Sequence, residues 1–196
     1  MIRLKAASPI LPPAVLELLA ELGGGESGFG GTPVHTGETT VESYVQQCID
    51  MTDPAKLQPG LVPQTTFWML DADGATIGMV RLRHYLSDKL LLHGGHIGYY
   101  IRREQRGKGY AKEALRLALI ALRKLGERRA LLTVNPGNAP SISVIERNGG
   151  RLENIVTDPK TGVVHRRYWI ELESQQPAAK NREVAAADPQ LPRPVL

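Results

Sequence analysis

Residues His96–Ala111 read HIGYYIRREQRGKGYA and carry the strongest chemical signal in the protein. The alternating stretch His96–Ile101 runs into a loop with Gly107 and Gly109, and a helical pattern begins at Tyr110. The first turn of a helix has backbone N–H groups without intrahelical partners, at the positive end of the helix dipole. Glycines let such groups approach a ligand closely. The amides of Arg106, Gly107, Lys108, Gly109, Tyr110 and Ala111 therefore make a cradle suited to a pyrophosphate. The side chains of Arg106 and Lys108 either add charge at its rim or lie on a solvated loop. Two other phosphate loops are disfavoured. The G-x-x-x-x-G-K-[ST] pattern is absent, and a mid-sequence G-x-G lacks the third glycine of the dinucleotide fingerprint. The glycine spacing by itself also suits a plain connecting loop.

The elements that must hold this segment are legible as periodicity. Ile2, Leu4 and Ala6 alternate with polar residues, as in a short half-buried strand. Pro12-Pro13 opens a helix through Glu21, with Val15, Leu18, Leu19 and Leu22 on one face. Gly23–Gly31 holds six glycines and reads as a loop. A helix capped by Thr39 or Thr40 runs to about Met51, with Tyr44, Val45, Cys48 and Ile49 as its buried stripe. Thr65–Leu70 and Thr76–His84 are strands about an Asp73-Gly74 hairpin turn. Leu86–His93 is a connector, and His96–Ile101 is the fourth strand. Tyr110–Leu125 is a long amphipathic helix, and Ala130–Val134 a central strand. Ser141–Asn148 is a short helix ended at Gly149. Arg151–Thr157 and Val163–Leu172 make a closing hairpin.

This order predicts an α/β fold over residues 1–173, one central sheet with helices on both faces. Residues 174–196 carry several Pro and Ala and no period, so they read as a disordered or loosely packed tail. At 196 residues, with 42% hydrophobic and 22% charged, the protein can bury a core without metal or disulfide staples. The net charge of +4 fits scattered surface charge better than a nucleic-acid surface, and it favours approach of a polyanionic ligand. Cys48 is the only cysteine, which rules out an intramolecular disulfide and points to a reducing compartment. Its position reads as a buried small hydrophobe. The N-terminus does not read as a signal peptide and no apolar run reaches membrane-spanning length, so a cytoplasmic protein is expected.

The segment Arg106-Gly107-Lys108-Gly109-Tyr110-Ala111 resembles the R/Q-x-x-G-x-G/A signature of the GNAT N-acetyltransferases. The predicted element order matches that family's fold. Asn138-Ala139-Pro140-Ser141 resembles its N-x-x-S/A segment, and Glu146-Arg147-Asn148-Gly149 its E-K-x-G ending. The resemblance spans roughly residues 1–172. It implies a mixed, mostly antiparallel sheet whose fourth and fifth strands, His96–Ile101 and Ala130–Val134, splay apart. The pantetheine arm of acetyl-CoA would enter there and pair with backbone groups near Ile101 and Arg103. The amides from Arg106 to Ala111 would hold its pyrophosphate. Asn138 would hydrogen-bond the pantetheine arm or only cap its helix, and Ser141 would lie near the thiol or serve as a small first-turn residue.

The implied reaction is direct attack of an amine on the acetyl thioester in a ternary complex, with no metal. The amine must lose a proton. His96 lies where family members place a glutamate base, and an imidazole titrates near neutral pH; its other reading is to order the Gly94-Gly95 turn. Glu42 and Tyr99 are weaker choices as base. Alternation sets Tyr99 on the strand face opposite His96, as a packed aromatic. Ile145 stands where many members carry a tyrosine that protonates the leaving thiolate, which leaves that step to water. The acceptor pocket is expected between the two early helices and the last hairpin, with Gly23–Gly31 as either a mobile lid or a plain surface loop. Part of the set Arg81, Arg83, His84, Tyr85, His165 and Arg166 would supply its polar groups. A small-molecule amine is the expected acceptor and a homodimer a compatible assembly. The alternatives are a protein N-terminal or lysine acetyltransferase, a non-catalytic acyl-CoA-binding module, and an RNA-associated protein.

Overall fold

In the computed structural model, which describes residues 1–172, period-two alternation turns Trp68 and Leu70 to one side of a sheet and Phe67 and Met69 to the other. These residues lie on β4 (Gln64–Leu70). Antiparallel ladders join it to β1 (Arg3–Ala6) and β5 (Thr76–Arg83), and β5 pairs in turn with β6 (Ile97–Ile101). A second sheet has the order β7 (Arg129–Val134), β9 (Val164–Glu171), β8 (Arg151–Thr157). Every ladder among the described residues is antiparallel. No ladder joins β6 to β7, so the expected central sheet is two half-sheets set side by side. The expected tail, 174–196, lies outside the described residues.

Helices cover both faces. α1 (Val15–Leu22) and α2 (Val41–Asp50) bury Val15, Leu18, Leu19, Leu22, Tyr44, Val45 and Cys48 against Trp68 and Met79. Thr40 caps α2 by accepting the Ser43 N–H at 3.2 Å. On the other face α4 (Tyr110–Lys124) inserts Ala114, Leu115, Ala118, Leu119 and Leu122 beneath both half-sheets. Burying each of those leucines contributes roughly 2 kcal/mol, which makes α4 the main tie between the halves. α5 (Ala139–Glu146) adds Ile145 to the same core.

Two sequence readings change. Gly23–Gly31 contains a small hairpin, β2 (Gly25–Glu26) and β3 (Phe29–Gly30). Its turn residues Ser27 and Gly28 both have positive φ, 51° and 87°, the pattern of a tight two-residue hairpin. The connector Leu86–His93 holds one short helix, α3 (Asp88–Leu92).

Candidate active site

The half-sheets touch at one point. The His96 N–H donates to the Leu131 carbonyl at 2.7 Å, and the Leu131 N–H donates to His96 Nδ1 at 2.9 Å. Close approach here needs Gly95, since a Cβ on it would fall 2.4 Å from the Leu131 oxygen. Arg83 fixes the turn by donating to the Gly94 and Gly95 carbonyls at 3.1 and 3.0 Å, and the Gly94 N–H donates to Thr133 Oγ1 at 3.1 Å. Beyond that point no ladder joins the strands.

Backbone parity shows what faces the gap. The Arg83 N–H donates to His96 O at 2.8 Å and the Arg102 N–H to Ile77 O at 3.0 Å. Alternation then turns the even-numbered residues of β6 toward β5, and leaves the backbone N–H and C=O of Ile97, Tyr99 and Ile101 toward β7. On β7, the Leu172 N–H donates to Arg128 O at 2.8 Å, so Leu131 and Thr133 face β6. The Ile101 carbonyl already accepts Arg106 Nε–H at 3.0 Å, and the Arg103 N–H already donates to Glu21 Oε1 at 2.6 Å. These partners, with the Arg106 N–H on the Arg103 carbonyl at 3.2 Å, take up both expected pairing groups of Arg103 and the carbonyl of Ile101, and leave the Ile101 N–H. The groups left at the edge are the N–H and C=O of Ile97 and Tyr99 and the N–H of Ile101.

The expected cradle sits at the start of α4. Gly109 is its N-cap at φ 80°, and no side chain caps the helix, unlike α2 or α5. Among the described residues, the amides from Gly107 to Lys112 donate to no protein acceptor. Gly107 also has positive φ, 78°, and a Cβ on either glycine would meet no protein atom within 4 Å. Six donors are thus turned outward in a loop that glycine alone holds without strain. Tyr110 and Ala111 pack their side chains into the core, so they contribute only backbone.

Arg103, Arg106 and Lys108, beside the cradle, each have a side-chain partner. Arg106 donates to both carboxylate oxygens of Glu26 at 2.8 and 3.0 Å, and Arg103 Nε lies 3.6 Å from Glu26. The Arg106 bonds hold the Glu26 carboxyl below its usual range. Lys108 Nζ donates to Gln105 at 3.0 Å. Burial works against the charge on Glu21, yet bonds from the Arg103 N–H, Tyr100 hydroxyl and Arg102 keep its pKa low. Sequence reasoning missed both glutamates. Glu26 sits in the segment read as loop, and Glu21 ends a helix with nothing in its spacing to mark a partner.

His96 departs from its expected role. It is 2% exposed, and burial together with the charge of Arg83 lowers its pKa to about 4. Its Nδ1 lone pair is engaged by Leu131, and Nε2 lies 3.9 Å from Glu127. The ring clasps the half-sheets and has no lone pair turned to an amine, which leaves the Gly94-Gly95 ordering role. Asn138 caps α5, its Oδ1 accepting the Ser141 N–H at 3.1 Å. Ser141 Oγ lies 2.7 Å from the Tyr99 hydroxyl. Ile145 is 1% exposed in the core. Much of the expected polar pocket braces the fold. Arg81 holds the hairpin through the Gly30 and Gly31 carbonyls at 2.8 and 3.1 Å, and lies over Phe29. His84 pairs with Thr65, and His165 stacks on His93.

An edge of open backbone next to an uncapped helix start is an arrangement suited to an extended, phosphate-bearing ligand. The family model described as Acetyltransferase (GNAT) domain matches residues 30–151, and the protein belongs to this acetyltransferase family. Its fold resembles mutant forms of the spermidine/spermine N-acetyltransferase SpeG from Vibrio cholerae, at TM-score 0.60 and 18% identity over 88% of this protein and 95% of that one. It also resembles yncA from Salmonella typhimurium, solved with its cofactor acetyl-CoA, at TM-score 0.59 and 13% identity over 89% and 96%. An N-acetyltransferase from Staphylococcus aureus gives 0.59 and 13% over 88% and 99%. At these identities the likeness is one of fold. No curated protein sequence matches this one. Among the described residues, no helix is long and apolar enough to cross a membrane.

Proposed function

We propose that the protein transfers the acetyl group of acetyl-CoA to a primary amine of a small molecule, by direct attack in a ternary complex in the cytoplasm. The observation that carries this reading is the open run of amides from Gly107 to Lys112 beside the parted strands. Those amides receive the pyrophosphate. The Tyr99 carbonyl accepts from a pantetheine amide, and its N–H donates to the thioester oxygen as the tetrahedral oxyanion forms. Asn138 keeps its Nδ2 end for the pantetheine arm while Oδ1 caps α5. With His96 engaged as a clasp, the amine loses its proton to water, and the rate rises with pH toward the amine's own pKa.

Thiol release from acetyl-CoA, measured against a panel of polyamines, amino sugars, amino acids and peptides, tests the reading. Turnover with a small amine and none with peptides is the expected result. Turnover with peptides alone would replace the acceptor class, and absence of coenzyme A binding by calorimetry would remove the cradle. Spermidine belongs in the panel because a fold relative is a spermidine/spermine N-acetyltransferase.

A further inference from the structure

Cleavage of a thioester by an amine leaves a thiolate, and that charge needs a donor in the gap. Two side-chain hydroxyls meet beside this opening, one from β6 and one from the helix that follows β7. The Tyr99 ring leaves β6 on the side of α4 and packs against the larger core. Its hydroxyl reaches α5 and meets Ser141 Oγ at 2.7 Å, while the Asn138 cap fixes the turn that carries Ser141. The backbone of Tyr99 faces the same gap. Ile145, buried in the core on the same helix, carries no proton to give.

We propose that the Tyr99 phenol donates a hydrogen bond to the departing sulfur, and that Ser141 is the residue that positions it. This rests on the acetyl-transfer reading above. Either hydroxyl can be the donor in this pair; the role proposed here requires the Ser141 O–H to donate to the phenol oxygen, with the phenol proton turned from the Ser141 carbonyl, 3.5 Å away, into the gap. In the step, the amine nitrogen forms a C–N bond to the carbonyl carbon. The C–S bond breaks and its electron pair goes to sulfur. The nitrogen loses its proton to water, and the sulfur later takes one from water. Tyr99 keeps its own proton throughout. Burial pushes this phenol up to about 12 against the opposing bond from Ser141, whereas a free thiol titrates near ~8.5. Transfer from phenol to thiolate is therefore uphill. Tyr99 acts as a hydrogen-bond donor to charge, a catalytic residue that is not an acid.

The test needs no acceptor. The pKa of the coenzyme A thiol is measured in its complex with the full-length protein, from thiolate absorbance against pH, for wild type, Tyr99→Phe and Ser141→Ala. A hydrogen bond to a thiolate lowers the bound thiol pKa, and Tyr99→Phe should raise it by about one pH unit. Ser141→Ala should raise it by less. With an accepted amine, Tyr99→Phe should lose about tenfold or more in kcat with the KM for acetyl-CoA unchanged. Phenylalanine keeps the ring, and matching melting curves check that the fold is intact. An equal bound thiol pKa in wild type and Tyr99→Phe overturns this role and leaves the transferase reading standing. Failure of coenzyme A to bind the wild type overturns both.

Discussion

At His96 an imidazole nitrogen takes the place of a backbone carbonyl. Nδ1 accepts the Leu131 N–H that a regular ladder would pair with backbone oxygen. It can accept only while unprotonated. Its pKa is about 4 when folded, against an ordinary value of 6.5, because burial and Arg83 disfavour its charge. Between those values the unfolded state binds the proton and the folded state does not, so stability rises with pH across this window. The contribution is complete above pH 6.5, and is lost as pH falls toward 4. The loss is on the order of 3 kcal/mol. His96→Ala should cost about 2–3 kcal/mol at pH 8, by leaving the Leu131 N–H unpaired over a small cavity. In urea titrations the variant should lack this share of the decline between pH 6.5 and 4. An unchanged decline would remove the clasp. The sequence showed that a histidine stood at a chemically charged place. It could not show where the ring nitrogens point, since that depends on Leu131, 35 residues away.

Among the elements, the start of α4 was the most readable, because its requirements are local: two glycines, a break in alternation, then an amphipathic period. Replacing Gly109 tests it. Asp there must adopt φ near 80°, a left-handed conformation that costs about 1 kcal/mol, and its carboxylate would stand among the outward amides. Gly109→Asp should bind coenzyme A at least about 100-fold more weakly by calorimetry, from repulsion of the diphosphate and lost amide contacts. Affinity within about threefold of wild type in a folded variant would refute the cradle. The β2–β3 hairpin was harder to read. Each strand has two residues, too few for a period, and its Ser27-Gly28 turn lies among glycines that mark loops. What orders it comes from far along the sequence. Arg81 grips its carbonyls, and Arg106 grips Glu26 across 80 residues. Such pairings have no local signature.

For the molecule as a whole, the order of helices and strands foretold helices on both faces, and the family resemblance implied the place of the opening. The division into two sheets with a single clasp is a matter of hydrogen-bond registry between β6 and β7, which composition does not encode. The opening is closed at one end by His96 and Leu131, and its two lips are the unladdered amides of Tyr99 and Thr133. Such a protein carries its own incomplete strand pairing, which the proposed function has a ligand complete. In deuterated water the Tyr99 and Thr133 amides should exchange within minutes in the free protein, far faster than the neighbouring Tyr100 amide held by β5. Saturating coenzyme A should slow Tyr99 by at least about tenfold and leave Tyr100 unchanged. On the proposed reading the ligand serves as a borrowed strand, so the supply of acetyl-CoA would add to the hold that α4 already gives the two halves, as well as set how fast the enzyme turns over.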